Sequence, residues 1–358
     1  MPVSPLSKEL LPQESKLLAQ FIAMAPFVFQ AARCLRDFGV LEILINEPAS
    51  FSVLKEKTKL SEYGLSILLD AGESSGIVVY ENDVFKLTQT GQFLQTDPIA
   101  KVNMDFTHDV CYQGLFSLKE SIENGKPEGL KVFGKWNTIY EGLSSLPKQT
   151  QDSWFAFDHF FSDESFPRAL PFVFKDKPRS VMDVGGNTGK FAVACAQFDP
   201  SVKVTIVDHP AQISMANENI HSQGLAERVR YFGADLLNHS QALPDGHDVI
   251  WMSQFLDCFG EDDIVKLLKR ARQAMHAESF LFIMEPFTDN QKFNVAKFCL
   301  DMTSLYFTAM ANGNSRMYRY KDFLRFLDIS GLEVVESHNV RVNHTLLKCR
   351  KKPEPRQG

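Results

Sequence analysis

An α/β fold with a mostly parallel sheet, preceded by a separate helical module, is what this 358-residue sequence predicts. Three observations carry that expectation. From Ser180 onward, short apolar strands alternate with helical stretches, the pattern of a parallel sheet covered on both faces. The first of those strands runs straight into a glycine-rich turn and a helix, in Ser180-Val-Met-Asp-Val-Gly-Gly-Asn-Thr-Gly-Lys190. The first hundred residues lack the alternation and end in a hairpin pattern instead.

In chain order, Ser15 to Gly39 is apolar and helix-like, interrupted by Pro26. Short helices follow at Ser52 to Thr58 and Ser61 to Ser74. Two strand-like runs, Gly76 to Tyr80 and Val84 to Thr88, flank a turn at Glu81-Asn-Asp83. Helices closed by a hairpin make a winged-helix arrangement, which in isolation suggests DNA binding. The segment in the recognition-helix position, Ser61 to Asp70, holds no Lys or Arg to meet phosphates, which argues against that use.

Ala100 to Pro147 reads as helices and loops, broken at Glu123 to Gly129, and Trp154 to Phe161 is an aromatic-rich helix. After the strand and helix of Ser180 to Phe198 come strands at Val202 to Val207, Arg228 to Phe232, His247 to Met252 and Ser279 to Glu285. Helices are expected at Glu261 to His276, Gln291 to Met310 and Lys321 to Ser330. A last pair of strands is expected at Leu332 to Asn339 and Val342 to Lys348. Expected divisions are 1–105 for the helical module, 106–165 for a connector, 166–350 for the α/β domain and 351–358 for a polar, disordered tail.

The glycine turn points to a nucleotide-type cofactor. Gly185, Gly186 and Gly189 do not fit G-x-G-x-x-G, and no phosphate-binding G-x-x-x-x-G-K-[ST] loop is present. An acidic residue, Asp183, ahead of a Gly-Gly-x-x-Gly turn suits a ligand with an adenosine ribose and an amino-acid tail but no phosphate. Asp208, at the end of the next strand, is placed to accept from ribose hydroxyls. Asp235 followed by Leu236 is placed to bond an adenine amino group and pack on its ring. Such ligands bind beyond the carboxyl ends of the strands, where all three acids fall.

The runs Met182-Asp-Val-Gly-Gly-Asn-Thr-Gly189, Asp208-His-Pro210, Gly233-Ala-Asp235 and Phe280-Leu-Phe-Ile-Met-Glu285 resemble the S-adenosylmethionine-dependent O-methyltransferases of the caffeic acid and hydroxyindole type. Phe157-Asp-His-Phe-Phe-Ser-Asp-Glu-Ser165 is similar to the helix that precedes that family's cofactor domain, and the likeness extends over the N-terminal third. The resemblance implies a Rossmann-like class I methyltransferase sheet with an antiparallel last strand, and S-adenosylmethionine as cofactor. It implies that the winged-helix module is a dimerisation domain and the protein a homodimer. It also adds Ser162, His209 and Ser253 to the cofactor set of Asp183, Gly185, Gly186, Gly189, Asp208, Asp235 and Leu236. Trp154, His159, Phe161, Phe255, Met302, Ser315 and Arg316 are implied as the substrate pocket.

The departure lies in proton transfer. Members that methylate phenols carry His-Asp-Trp after the fourth strand, and that His takes the hydroxyl proton; here Asp257-Cys258-Phe259 stand in its place. Of the two carboxylates that orient the His, Glu285 matches one. The other belongs to a G-G-K-E-R motif, read here as Asn312-Gly-Asn-Ser-Arg316, so Ser315 replaces it. A free Asp titrates near ~3.9 and a phenol near ~10, a gap worth roughly 8 kcal/mol. Asp257 facing Glu285 would share a proton with it and titrate higher. Alternatively Asp257 caps the helix that begins near Glu261 or sits in solvent, and His159 is a reserve base.

The net charge of −6 disfavours broad binding to nucleic acid or anionic membranes. Six cysteines without metal-ligand spacing read as reduced thiols, placing the chain in the cytoplasm, and no metal is expected. No signal peptide or membrane-spanning run is expected. Thirty Phe against eight Tyr favour an apolar acceptor. Three uses stay open: methylation of an oxygen on a small aromatic or polyketide-like acceptor; a carbon or nitrogen methylation or another cofactor-dependent step; and an inactive scaffold or regulator.

Overall fold

The computed structural model describes residues 9–340 and 343–353, except for the side chains of 161–163 and 211. Two compact units divide the chain, Met1–Asp109 and Val110–Gly358. Most of the expected 106–165 connector belongs to the second unit.

In the first unit the expected N-terminal helix is two helices, Pro12–Ala23 and Ala25–Asp37, bent by 69° at Met24. Pro26 sits in the first turn of the second helix, where its missing N–H costs nothing, so the break precedes the proline. Helices Val40–Asn46, Phe51–Thr58 and Glu62–Ser74 follow. Ser50 and Ser61 cap the last two, their hydroxyls accepting from Val53 N and Gly64 N. The hairpin pairs β1 (Val78–Glu81) with β2 (Val84–Leu87) across Asn82 and Asp83, both at positive φ. Leu35, Leu41, Leu54, Leu65 and Leu69 are fully buried between these elements. Arg33, also buried, is held by Asp37 at 2.8 Å and Asp105 at 2.7 Å.

The second unit is built on a seven-stranded sheet: β3 (Ser180–Val184), β4 (Lys203–Asp208), β5 (Val229–Gly233), β6 (Val249–Ser253), β7 (Phe280–Glu285), β8 (Leu332–Asn339) and β9 (Thr345–Lys351). Their order is β5-β4-β3-β6-β7-β9-β8; the first five are parallel, and β9 runs antiparallel to both its neighbours. Helices cover both faces. Leu267, Leu268, Phe323 and Phe326 pack on one, and Phe191 stacks on Trp251 at 3.9 Å on the other. Because β3, β4, β5, β6 and β7 are parallel, their carboxyl ends line one edge of the sheet.

The C-terminal elements differ in detail from expectation. The helix foreseen from Gln291 begins at Asn294 and passes at Phe307–Ala311 into a π-helical turn. The final strand begins at Thr345 and reaches Lys351, with Lys352 N donating to Gly331 O at 2.9 Å, so ordered pairing extends into the segment expected as a tail. Val342 and residues 354–358 lie outside the described residues. Among the described residues no single helix is long and apolar enough to cross a membrane.

Candidate active site

The carboxyl edge of the sheet carries the predicted acids in spatial order: Asp235 after β5, Asp208 at the end of β4, Asp183 on β3, Ser253 at the end of β6, Glu285 at the end of β7. The strand order reverses between β3 and β6, the position at which parallel sheets open a crevice.

The glycine turn is shaped by contacts that forbid side chains. A Cβ on Gly186 would lie 2.9 Å from Asp183 Oδ2, and one on Gly185, at φ +76°, would lie 2.3 Å from the Phe255 ring. Gly189 differs: its missing Cβ leaves room for Ile206 and Ile220, so it serves helix packing rather than approach by a ligand. Asn187, also at positive φ, donates its N–H to Asp208 Oδ2 at 2.8 Å, while His209 N donates to Oδ1 at 2.7 Å. The loop and the end of β4 are thus tied through one carboxylate. The His209 ring itself is on the exposed side.

Asp183 is buried and its Oδ2 has no hydrogen-bond partner among the described residues. Burial, then the nearby Asp208 charge, raises its pKa to about 8. Burial raises Asp208 as well, against the pull of its two amide donors. Ser253 Oγ is a second buried polar atom without a partner. Beyond β5, Asp235 is exposed and accepts from Leu237 N at 3.0 Å. Leu236, expected to pack on the ring, lies in the core with Ala234 beside it, and Leu237 is the exposed neighbour at 48%.

The other end of the edge holds Asp257 in a tight turn, Leu256–Cys258, and not as a helix cap; the cap position of Glu261–Ala274 is Gly260. Asp257 and Glu285 are 5% and 2% exposed. Glu285 Oε1 accepts from Phe255 N at 3.1 Å and Leu256 N at 3.0 Å, and its Oε2 has no partner among the described residues. Burial raises Asp257 to about 6, against the Cys258 thiol and backbone bonds that lower it. Burial and then the Asp257 charge push Glu285 well above the usual carboxylate range. Both shifts run upward, so the pair holds a proton more tightly than two free carboxyls would.

Around this pair lie groups the sequence did not single out. Tyr140 is hydrogen-bonded to the Cys258 sulfur, and Cys258 Sγ is 3.6 Å from Asp257 Oδ1. Trp154, expected to line a pocket, is buried and donates its indole N–H to Tyr306 Oη at 2.7 Å. Asn312 Nδ2 donates to Cys258 O at 2.6 Å, and Tyr318 Oη donates to Phe259 O at 2.7 Å. Burial raises the Tyr140, Tyr306 and Cys258 pKa values, keeping all three neutral.

Other pocket residues are placed differently from expectation. Ser315 is buried with its hydroxyl on Asn312 Oδ1 at 3.0 Å, so it closes a turn instead of orienting a base. Arg316 is exposed and Met302 is 46% exposed, which removes both from the interior of the second unit. His159 is partly buried, 3.1 Å from Lys190 Nζ and 3.7 Å from Asp158 Oδ2. Phe161 and Ser162 lie outside the described side chains. The described residues contain no group of His, Cys, Asp and Glu able to hold a metal.

Comparison with known proteins decides the family. Residues 171–331 match the O-methyltransferase domain, and residues 16–85 match the Dimerisation2-like domain. The chain belongs to the S-adenosylmethionine-dependent O-methyltransferase family.

It is an S-adenosylmethionine-dependent methyltransferase with an N-terminal dimerisation domain. Among its relatives, an L-tyrosine C(3)-methyltransferase of Streptomyces lavendulae is 23% identical over 87% of this chain and 85% of its own length. A mitomycin biosynthesis 6-O-methyltransferase of the same organism is 24% identical over 84% of each. The solved mitomycin 7-O-methyltransferase superposes with a TM-score of 0.71 at 20% identity, covering 95% of this chain and 98% of that one. For this methyltransferase, the polar atoms left open along β3 and β6 fit the family's cofactor: Asp183 Oδ2 and Ser253 Oγ are acceptors for hydroxyl or ammonium donors.

Proposed function

We propose that this methyltransferase alkylates a hydroxyl oxygen of a small aromatic or polyketide-like acceptor, with Asp257 as the base. The observation that carries this reading is the buried Asp257–Glu285 pair, next to the turn whose Phe255 covers Gly185. Asp183, Asp208, Asp235 and Ser253, with the Gly185–Gly186 turn, would hold the cofactor, and Leu237 would meet its adenine. When bound, S-adenosylmethionine supplies an electrophilic methyl on a positively charged sulfur.

The protein's part is positioning and proton removal. Asp257, its carboxyl raised by burial to about 6, would take the acceptor's hydroxyl proton, and the cofactor would give up its methyl to the oxygen with the sulfur leaving as a neutral thioether. Glu285 holds the turn through the amides of Phe255 and Leu256, and burial and the Asp257 charge push its own carboxyl well above the usual range. Against a phenol near ~10, a base near 6 is still about four units short, roughly 5 kcal/mol. The site therefore suits an acceptor whose hydroxyl is acidified by a conjugated carbonyl or ring nitrogen.

A second reading, carbon methylation, is favoured by the L-tyrosine C(3)-methyltransferase relative. Removing a phenol proton makes the adjacent ring carbon nucleophilic, so the same Asp257 serves both outcomes. The first unit's match to a dimerisation domain supports a homodimer, and its helices and hairpin support a winged-helix description. Six unpaired cysteines suit a reducing cytoplasm.

The test is calorimetric titration with S-adenosylmethionine and S-adenosylhomocysteine, then methyl transfer to hydroxyarenes graded by acidity. Rates that climb with acceptor acidity and give aryl ethers support the main reading; ring-methylated products select the second. Binding without turnover on any acceptor leaves a scaffold.

A further inference from the structure

The turn that carries Asp257 is gripped from two sides. Glu285 Oε1 takes the N–H groups of Phe255 and Leu256, while the chain after Ala311 takes the carbonyls: Asn312 Nδ2 that of Cys258, Tyr318 Oη that of Phe259. Asn312 is in turn fixed by its own loop. Its Oδ1 accepts from Asn314 N and Ser315 N at 3.1 Å and from Ser315 Oγ at 3.0 Å. Its N–H and that of Gly313 both donate to Phe307 O. One side chain thus couples a turn braced on the helix ending near Phe307 to the backbone beside Asp257.

We propose that Asn312 is a positioning residue for proton transfer: by tethering the Cys258 carbonyl it holds the Asp257 carboxylate in its buried place at the acceptor. This deepens the reading of Asp257 as base and rests on it. Ser315, which stands where the resemblance places a base-orienting carboxylate, here braces the residue that fixes the turn. The groups facing Asp257 are Glu285 from β7, Tyr140 and Cys258 at its side, and Tyr318 from the segment after Asn312, with Asp158 acting on Cys258. Loss of the tether lets water reach the carboxylate and lowers its titration midpoint towards the ordinary aspartate value.

The experiment follows the protonated-carboxyl C=O stretch by infrared difference spectroscopy from pH 4 to 9 on the full-length protein. No ligand is needed. Asp257→Asn identifies the Asp257 band. Asn312→Ser keeps a hydroxyl able to cap the turn but cannot reach Cys258 O, and Asn312→Ala removes both contacts. The expected result is a midpoint about one pH unit lower in Asn312→Ser and at least as low in Asn312→Ala. Kinetics on any acceptor found should show kcat at pH 7 reduced more than KM changes. An unmoved midpoint in folded Asn312→Ser would overturn the proposal and leave Asn312 a loop brace. A band near pH 6 that survives Asp257→Asn would instead overturn the reading of Asp257 itself.

Discussion

The two ends of the sheet's carboxyl edge are built by opposite means. On the β3–β4 side most of the polar groups lie in one short run, Asp183 and the glycine turn, to which Asp208 from the next strand is tied through Asn187. On the β6–β7 side it is assembled from segments distant in sequence: Tyr140, Asp257, Glu285, Asn312 and Tyr318. In the function proposed above, the first side would hold the cofactor that the family shares, and much of it is written in one short motif. The second must suit one acceptor, and its polar groups answer to one another across the fold. Changing the base there means changing what holds it.

Substitutions that separate the two sides test this contrast. The largest effect is expected from Asp257→Asn, which should lower kcat by about 10²–10⁴ while leaving the calorimetric Kd for S-adenosylhomocysteine unchanged; a parallel loss of binding would break the division. Next comes stability against pH. Asp257 and Asp183 have folded pKa values of about 6 and about 8, above their unfolded values, so the folded state binds the extra protons. Their contribution is full below about pH 4 and is lost as pH rises, through 6 for one and through 8 for the other. For Asp257 the loss is on the order of 3 kcal/mol. Urea unfolding of the ligand-free protein should therefore weaken from pH 4 to 9; Asp257→Asn should reduce the slope only between about pH 4 and 6, and Asp183→Asn should reduce it over the whole span from about 4 to 8.

Asp208→Ala removes the acceptor of two backbone amides as well as a predicted ribose contact. It should weaken S-adenosylhomocysteine binding by about 10- to 100-fold in calorimetry, with the infrared midpoint of Asp257 unmoved. The smallest effect belongs to Leu237→Ala. If Leu237 and not Leu236 meets the adenine, the Kd should rise only about two- to fivefold, with no change in the melting temperature. A drop in melting temperature with unaltered affinity would return the ring contact to another residue.

Legibility followed the same division. The parallel strands and the glycine turn could be read because apolar runs and φ-positive glycines are local signals. The hairpin at Asn82–Asp83 was visible for the same reason. Leu236, expected at the adenine ring, packs in the core while Leu237 is exposed, and a sequence gives no sign of which of two adjacent leucines faces outward. Asn312 was seen only as a loop residue: an amide's role depends on which carbonyl it reaches, and Cys258 lies 54 residues away in sequence. Tyr140 sits in a stretch of short helices with no period to mark which side chain points inward. Asp257 itself was found through the residue it replaces, whereas its burial came only from the packing around it.

The position of β9 has a consequence for biosynthesis. Although it is the final strand in sequence, it lies between β7 and β8, so an internal place in the sheet stays vacant until residues 345–351 have been made. During elongation β7 has no partner on its outer side and β8 has none at all, which leaves open ladder groups on an emerging chain. Ribosome-stalled chains that stop before Thr345 should therefore stay protease-sensitive and chaperone-bound. Those whose nascent segment clears the exit tunnel past Lys351 should lock. Glu285, at the end of β7 and opposite Thr345, reaches its final surroundings in that same closing step, so the buried Asp257–Glu285 pair is completed among the last events of synthesis.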